Sequence, residues 1–263
     1  MARAAVENEQ ELSKKQKPEE AKKKETTVEF LASIAVVLVT GLFIITFVVQ
    51  AFEIPSSSME NTLLIGDHVF VDREVFAPPT HWVGPVIPYR DPRDGDIIVF
   101  LSPAEPGLYV VKRVMGVPGD RIHLRDGIVY RNGKKLDEPY VVRKDNYNSY
   151  RDNFPAVPPT EANVTPEWRL LMSSYIQGED LVVPPDHLFA MGDNRDVSYD
   201  SRYWGFIPRE NVIGRPLFIY WSFQTPEFQY MKRGIGERLS FIAHIIIHFF
   251  DQTRWNRMLK VVR

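Results

Sequence analysis

The longest uninterrupted apolar stretch of the chain lies near its N-terminus. From Phe30 to Val49 there is no charged residue, and most positions hold Leu, Ile, Val, Phe or Ala. About 20 apolar residues, rising about 1.5 Å each in a helix, match the thickness of about 30 Å of a bilayer's hydrocarbon core. A helix buried in a protein core usually carries a polar stripe, and this stretch has none. The pattern predicts a transmembrane helix over residues 29–51, preceded by a charged tail over residues 1–28.

The charges around this stretch indicate its orientation. Lysines at 22–24 precede it, whereas Glu53 and Asp67 follow it. Because positive residues remain on the cytoplasmic side of a membrane, we expect a cytoplasmic N-terminus and an external body. The stretch is longer than the apolar region of about 7 to 15 residues in a cleavable signal peptide. We therefore expect a retained anchor.

Beyond the apolar stretch, the pattern changes to short apolar runs and period-two alternation, which are typical of β-strands. Asp126-Gly127 marks a tight turn of the kind that joins a hairpin. The sequence therefore predicts a mainly β body, built from residues 52–131 and 184–231 with a small β-subdomain, residues 132–183, between them. The predicted strands of the body cover residues 68–73, 97–101, 109–114, 187–191 and 212–221.

Two further segments stand out by their composition. Residues 77–93 hold several prolines together with Trp82 and Tyr89, and we predict a loop there. Residues 232–263 contain the apolar run FIAHIIIHFF, which is too short to span a bilayer. We predict an amphipathic helix in this segment, for which the membrane surface and packing against the protein are both open.

Composition excludes several classes of function. The net charge of -2 argues against a nucleic-acid partner. The absence of cysteine excludes disulfides, a thiolate nucleophile and thiolate metal ligands. His244 and His248 have the i, i+4 spacing of some zinc sites, but no glutamate occupies the HExxH position. We predict no metal site and no cofactor.

Candidate chemistry centres on three consecutive serines, Ser56 to Ser58, a few residues beyond the apolar stretch. A serine hydroxyl is a poor nucleophile unless a base removes its proton. No histidine lies in a recognisable triad setting and the G-x-S-x-G elbow is absent, which leaves a Ser/Lys dyad. The lysine of such a dyad must be neutral, and burial lowers a lysine pKa by up to about 3 to 5 units. Only Lys112 stands in an apolar strand, and a structural, snorkelling role for it is an equal alternative at this point.

The order of four motifs along the chain resembles that of the bacterial type I signal peptidases, membrane-anchored Ser/Lys proteases of the S26 type. The resemblance covers residues 52–221 and implies a signal-peptidase-like antiparallel β-sheet catalytic domain with a small β-subdomain. The four blocks are Pro55-Ser56-Ser57-Ser58-Met59 with Thr62-Leu63 and Gly66-Asp67; Gly95-Asp96-Ile97-Ile98-Val99; Lys112-Arg113-Val114 with Gly116 and Pro118-Gly119-Asp120; and Gly192-Asp193-Asn194-Arg195-Asp196 with Ser198, Asp200-Ser201-Arg202 and Trp204-Gly205.

The resemblance implies catalytic roles for residues of the first and third blocks. The serine before the methionine is the family's nucleophile, which is Ser58 here, and Lys112 matches its general base. Ser56 matches the residue whose hydroxyl completes the oxyanion hole beside the backbone N–H of Ser58. Such donors stabilise the charge that develops on the scissile carbonyl oxygen.

The last block carries supporting roles by the same resemblance. Ser198 matches the serine that orients the lysine amine, and Asp200 and Arg202 match a supporting ion pair, for which a purely structural clamp is the alternative. The chain departs from the family pattern at Asn61, where proline is common, and at Val197, where asparagine is common. Neither position carries a catalytic role, so the departures concern specificity.

The resemblance also implies the substrate. Family members prefer Ala-x-Ala before the cleaved bond, which requires shallow apolar pockets that admit small side chains. Ordinary core packing is the alternative role for the apolar residues near the dyad. The candidate pocket residues are Phe52, Ile54, Met59, Leu63, Val110 and Val111.

Taken together, the resemblance implies a single-pass protein of the bacterial inner membrane. It would remove signal peptides from exported preproteins through an acyl-enzyme, with preproteins and membrane lipid as its partners. Another membrane-tethered Ser/Lys protease and an inactive membrane-anchored β-domain adaptor are the alternative functions. The anchor argues against a self-cleaving repressor, and intact Ser58, Lys112 and Ser198 argue against an adaptor.

Overall fold

A computed structural model describes residues 26–76, 90–144, 147–226, 229–232 and 234–263. The described chain divides into two compact units at the boundary between Phe43 and Ile44. The predicted tail, except for its last residues from 26 onwards, and most of the predicted loop with Trp82 and Tyr89 lie outside the described residues.

The first unit contributes helix α1, Thr27–Phe43, none of whose residues is buried. Within the described parts of the chain, no helix combines the length and the apolar character needed to cross a membrane. The predicted helix over 29–51 is wrong at its C-terminal end. A π-helical turn, Ile44–Val48, is followed by strand β1, Val49–Glu53, whose backbone pairs with a later strand.

The second unit is mainly β, as predicted. Its elements, in chain order after β1, are the 3-10 turn Ser57–Met59, β2 Asp67–Asp72, β3 Ile97–Leu101, β4 Tyr109–Gly116, β5 Arg121–Arg125, β6 Ile128–Arg131, β7 Lys134–Lys135, α2 Ser149–Asp152, α3 Pro166–Leu171, the 3-10 turn Met172–Tyr175, β8 Ile176–Gln177, β9 Asp180–Val182, β10 His187–Met191, α4 Ser201–Trp204, β11 Ile207–Pro208, the 3-10 turn Arg209–Asn211, β12 Val212–Ser222, the 3-10 turn Gln229–Met231, α5 Ile235–Ile247 and the 3-10 turn Trp255–Arg257.

These strands form two antiparallel sheets. The larger sheet has the order β1-β2-β12-β3-β4-β10-β11, and the smaller has the order β7-β6-β5-β9-β8. The predicted strands of the body are confirmed to within two residues at their ends. The predicted subdomain, residues 132–183, covers β7, β8 and β9, whereas β5 and β6 of the same sheet precede it in the chain.

Two apolar clusters hold the unit together. The larger cluster joins side chains of both sheets, including Phe100 and Phe189 from the large sheet and Ile122 from the small one. The smaller cluster includes Met59 and Leu63 and lies beneath the serine-bearing turn. In β2 the alternation is regular, since Asp67, Val69 and Val71 are buried and the residues between them are half-buried. This period of two places one face of a strand in the core.

The C-terminal segment is helical only in part. Helix α5 ends at Ile247, and backbone bridges join Thr253 to Phe223 and Val261 to Phe218 beside β12. The prediction of a helix over the whole segment is therefore wrong beyond Ile247, because backbone pairing with β12 replaces helical hydrogen bonds there. No residue of α5 is buried.

Candidate active site

The structure brings the predicted nucleophile and the predicted base together. Ser58 lies in the short 3-10 turn, and Lys112 lies in β4, where it pairs with Ile98 of β3. The Nζ atom of Lys112 is 2.6 Å from the Oγ atom of Ser58. This contact joins residues 54 positions apart in the sequence and has the length of a strong hydrogen bond.

The position of Ser58 is fixed by the loop that carries it. Backbone hydrogen bonds from Ile54 to Asp67, at 2.9 Å, and from Gly66 to Ile54, at 3.0 Å, close this loop at its base. Met59 follows Ser58 and is 1% exposed, so its side chain anchors the turn in the smaller apolar cluster. The hydroxyl of Ser58 therefore projects from a closed and packed loop.

The environment of Lys112 favours the neutral amine. Its side chain is 3% exposed, and burial lowers the pKa of Lys112 to about 8, although the carboxylates of Asp200 and Asp193 act in the opposite direction. An ammonium group needs water or close anions, and burial removes the water. An amine with such a pKa can accept the proton of a serine hydroxyl near neutral pH.

Ser56 lies on the same side of the loop as the nucleophile. Its Oγ atom is 3.3 Å from Ser58 Oγ, within hydrogen-bonding distance. The loop therefore presents a second hydroxyl beside that of Ser58. An oxyanion hole needs hydrogen-bond donors close to the attacked carbonyl, and this is the role that the sequence predicts for Ser56.

Gly192 allows the last sequence block to approach the nucleophile. A Cβ atom on this residue would lie 2.3 Å from Ser198 Oγ and 2.4 Å from the carbonyl oxygen of Ser58. Both are far inside van der Waals contact, so only glycine fits this position without a shift of backbone. Ser198 is 2% exposed, and its Oγ atom has no hydrogen-bond partner among the described residues. The structure thus places Ser198 beside the serine turn without a direct bond to Lys112.

Asp200 and Arg202 form a fully buried pair. Arg202 donates two hydrogen bonds to the Asp200 carboxylate, each 2.9 Å long, and a third to the Arg195 carbonyl at 2.8 Å. Burial alone would raise the pKa of Asp200, but the charge and hydrogen bonds of Arg202 hold that pKa below its usual value. The carboxylate stays ionised and also accepts the backbone N–H of Gly192 at 3.1 Å. The pair therefore fixes the loop that faces Ser58.

A second buried pair supports the site and carries no predicted role. Arg113 donates to both carboxylate oxygens of Asp193, at 2.8 and 2.7 Å, and Thr62 donates to the same carboxylate at 2.5 Å. This pair ties β4 and the last block to the serine-bearing loop. Arg113 belongs to the third sequence block and Asp193 to the fourth, and the signal for Arg113 is a second charged residue directly after Lys112 in an apolar strand.

A small cleft of about 110 Å³, here called the apolar cleft, opens at the dyad. Five of the six predicted pocket residues line it, whereas Leu63 is fully buried in the smaller apolar cluster, because its turn points the side chain inward. The full lining is Phe52, Glu53, Ile54, Pro55, Ser56, Ser58, Met59, Val99, Leu108, Tyr109, Val110, Val111 and Lys112. Tyr109 and Leu108 are additional to the prediction, and the ring of Tyr109 meets that of Phe52 edge-on at 5.2 Å.

Comparisons with known proteins indicate the family to which the chain is similar. Residues 27–221 match the family described as "Signal peptidase, peptidase S26". The chain is 34% identical to the "Probable signal peptidase I-2" of Synechocystis sp., over 77% of this chain and 79% of that protein. It is 32% identical to signal peptidase I of Pseudomonas fluorescens, over 81% of this chain and 79% of that protein. A crystal structure of a signal peptidase I from Enterococcus faecalis V583 is 31% identical and covers 48% of this chain and 97% of that chain, with a TM-score of 0.32.

Proposed function

The chain belongs to the peptidase S26 family of signal peptidases and removes signal peptides as a serine protease, and we propose that Ser58 and Lys112 are its catalytic dyad. The observation that carries the proposal is the 2.6 Å contact between Ser58 Oγ and the buried amine of Lys112. Among the described residues, no group of three or more His, Cys, Asp or Glu side chains could hold a metal ion.

Acylation begins when the neutral amine of Lys112 accepts the hydroxyl proton of Ser58. The Oγ atom then attacks the scissile carbonyl carbon, and the negative charge moves to the carbonyl oxygen. The Ser56 hydroxyl and the Ser58 backbone N–H donate to this oxyanion, where each such donor contributes a factor of about 10² to 10³ in rate. The Lys112 ammonium returns its proton to the departing amine as the peptide bond breaks. An ester between Ser58 and the signal peptide remains.

Deacylation repeats these steps with water. Lys112, neutral again, removes a proton from a water molecule that attacks the ester carbonyl, and then protonates Ser58 Oγ as the ester bond breaks. Ser198 is proposed to orient the amine during both steps. Its hydroxyl is buried and has no hydrogen-bond partner among the described residues, and it lies with the Ser58 carbonyl around Gly192, which supports this proposal.

The apolar cleft is proposed to hold the residues before the cleaved bond. Its apolar lining and its volume of about 110 Å³ are consistent with the Ala-x-Ala preference expected from the sequence. The substrates are exported preproteins with N-terminal signal peptides. The lining residues that face this segment are Phe52, Ile54, Met59, Val110 and Val111.

The apolar helix α1 is proposed as an anchor in the bacterial inner membrane, with the N-terminus in the cytoplasm and the catalytic unit outside. The side chains of α1 support this proposal, because after Glu29 none of them is charged and none is buried. Val37 and Val39, for example, are 70% and 67% exposed. Apolar side chains on every face of a helix are typical of contact with lipid.

The dyad is tested with full-length protein in detergent and a preprotein that carries Ala-x-Ala. We expect Ser58→Ala and Lys112→Met each to lower kcat/KM at least about a thousandfold, because neither residue of a dyad acts without the other. His187→Ala is the control, since His187 is hydrogen-bonded to the Pro185 carbonyl and does not line the apolar cleft. Full cleavage by Lys112→Met together with loss in His187→Ala would refute the dyad.

A further inference from the structure

A second and larger cleft, of about 490 Å³ and here called the polar cleft, opens beside Ser57. Among the described residues, its lining shares no member with that of the apolar cleft. Ser57, which lines the polar cleft, directly precedes Ser58, which lines the apolar cleft, so both clefts border the same 3-10 turn. The lining of the polar cleft is Ser57, Glu60, Leu64, Ile65, Lys144, Asn194, Val197, Gln224, Thr225 and Arg254.

Asn194 links the wall of the polar cleft to the nucleophile. Its backbone N–H donates to the carbonyl of Ser58 at 3.0 Å, and its side-chain amide donates to Glu60 Oε2 at 3.0 Å. Glu60 follows Ser58 by two positions, and Asn194 is bonded to both residues. The wall of the polar cleft is therefore fixed to the backbone of the serine turn.

Lys144 also lines the polar cleft and is held there by its backbone. Its N–H donates to Asp196 Oδ2 at 2.5 Å, and the neighbouring Val142 exchanges backbone hydrogen bonds with Asp193 and Arg195 at 2.9 and 3.1 Å. The Lys144 ammonium is 2.5 Å from Glu60 Oε1. This part of the wall belongs to the segment between the two parts of the catalytic body, and it is built onto the same loop that faces Ser58.

The charges of the polar cleft are unequal. Both oxygens of Glu60 are occupied, one by Lys144 and one by Asn194. The side chain of Lys144 is 53% exposed, against 28% for Glu60, so the ammonium is the charged group that faces solvent. Arg254 adds a second positive charge, although its guanidinium is bound to the carbonyls of Ile65 and Phe223. Among the described lining residues, the cleft therefore carries the two positive charges of Lys144 and Arg254 against the one negative charge of Glu60.

We propose that the polar cleft holds the first residues of the mature chain after the cleaved bond, and that Lys144 selects acidic over basic residues there. The inference rests on the proposed function of Ser58 and Lys112. A polypeptide cut at Ser58 must extend to both sides of the serine, and the apolar cleft is the proposed place of the residues before the cleaved bond. The polar cleft borders the same turn through Ser57, and we assign the residues after the cleaved bond to it, with Lys144 as the specificity-determining residue.

The test uses full-length protein in detergent and three peptides that are identical through the cleaved bond. They carry Glu, Gln or Lys at the second position after it. We expect kcat/KM for the Glu peptide to exceed that for the Lys peptide by about two- to fivefold, the range of an exposed charge pair. Lys144→Met is expected to remove the preference and Lys144→Glu to reverse it. At about 1 M salt, where the Debye length falls to about 3 Å, the preference of the wild type should shrink.

Lys135→Met is the matched control. Lys135 is exposed on β7 and does not line the polar cleft, so this variant should keep the preference of the wild type. Equal cleavage of the three peptides by the wild type, or an unchanged preference in Lys144→Met, would overturn the inference. Ser58→Ala separates this failure from a failure of the proposed function. Loss of all cleavage in Ser58→Ala leaves the dyad standing, whereas cleavage that survives in it refutes both.

Discussion

At the scale of one residue, the burial that makes Lys112 a base in the proposed reaction also lowers the stability of the fold. An unfolded chain exposes this lysine to water, where its pKa is about 10.4. In the folded protein burial lowers the pKa of Lys112 to about 8, against the pull of Asp200 and Asp193. The same desolvation that makes the amine a usable base also makes the folded state less favourable whenever the amine is protonated.

The sign of this effect gives a prediction for stability. Between about pH 10.4 and about pH 8 the unfolded chain holds the proton and the folded protein does not, so the free energy of unfolding falls as the pH decreases. Below about pH 8 both states hold the proton, and the full penalty of about 3 kcal/mol is present. We expect Lys112→Met to be inactive and to unfold at higher denaturant concentration than the wild type at pH 7.

Denaturant unfolding at two pH values checks this prediction. The gain in Lys112→Met should approach about 3 kcal/mol at pH 7, less the hydrogen bond lost to Ser58, and should shrink above about pH 10.4 because the lysine is then neutral in both states. Lys135→Met, at an exposed position of β7, is the control and should change stability little at either pH. A Lys112→Met variant less stable than the wild type at pH 7 would contradict the argument.

At the scale of elements, the C-terminal segment holds the loop that carries the nucleophile. Asp67 at the end of this loop is fully buried and accepts hydrogen bonds from Ser222 at 2.6 Å and from the backbone of Leu64 at 2.8 Å. Arg257, from the last 3-10 turn, donates to the same carboxylate at 2.6 and 3.1 Å and to the Thr62 carbonyl at 3.1 Å. One arginine near the C-terminus thus binds both ends of the stretch that follows Ser58.

We expect Arg257→Met to lower the free energy of unfolding by about 3 kcal/mol, since it leaves a buried carboxylate without its cation. It should also lower kcat more than it changes KM, because the loop that positions Ser58 loses its clamp. Arg125→Met is the control. The Arg125–Glu179 pair is 59% and 69% exposed, so its loss should change stability by less than about 1 kcal/mol. Thermal unfolding and steady-state kinetics measure both variants. Equal effects of the two would show that Arg257 does not hold the loop that carries Ser58.

Some of the strands could be predicted from the sequence, and others could not. Short apolar runs predict the bounds of β3 and β10 correctly at both ends, because the burial of a strand is visible in its own residues. They could not reveal that Val49–Glu53 pairs as β1, because its apolar residues merge with the preceding stretch. The place of β12 between β2 and β3 depends on pairing between residues far apart in the chain.

The candidate site also contains residues that the sequence could identify and residues that it could not. Lys112 was found because a lysine in an apolar strand is unusual, and the dyad partner followed from the order of motifs. Lys144 was not found, since it stands in a polar segment without periodicity, and only the fold brings it to Glu60, 84 positions away. Local sequence identifies a residue that does not fit its surroundings, such as a lysine in an apolar strand. A contact between two polar residues in polar segments becomes visible only in the folded structure.

At the scale of the whole molecule, the proposed catalytic groups and the proposed anchor lie in different units. Ser58, Lys112, both clefts and the Arg257 clamp all lie in the unit that begins at Ile44, and α1 lies in the other. Domains with their own core can in principle fold alone, and both apolar clusters belong to the second unit. A protein that lacks residues 1–43 should therefore keep its dyad.

We expect this truncated protein to cleave a short soluble Ala-x-Ala peptide with kcat/KM within about twofold of the full chain, because the second unit supplies every group in contact with the peptide. Its cleavage of a preprotein embedded in vesicles should fall by about 10²-fold or more, since sharing a membrane raises the effective concentration of enzyme and substrate. Parallel assays of the two proteins on the two substrates measure both effects, and far-UV circular dichroism reports whether the truncated chain is folded.

Loss of peptide cleavage in a folded truncated protein would show that residues 1–43 contribute to the active site itself. Equal loss on both substrates would argue against an anchor that acts through proximity alone.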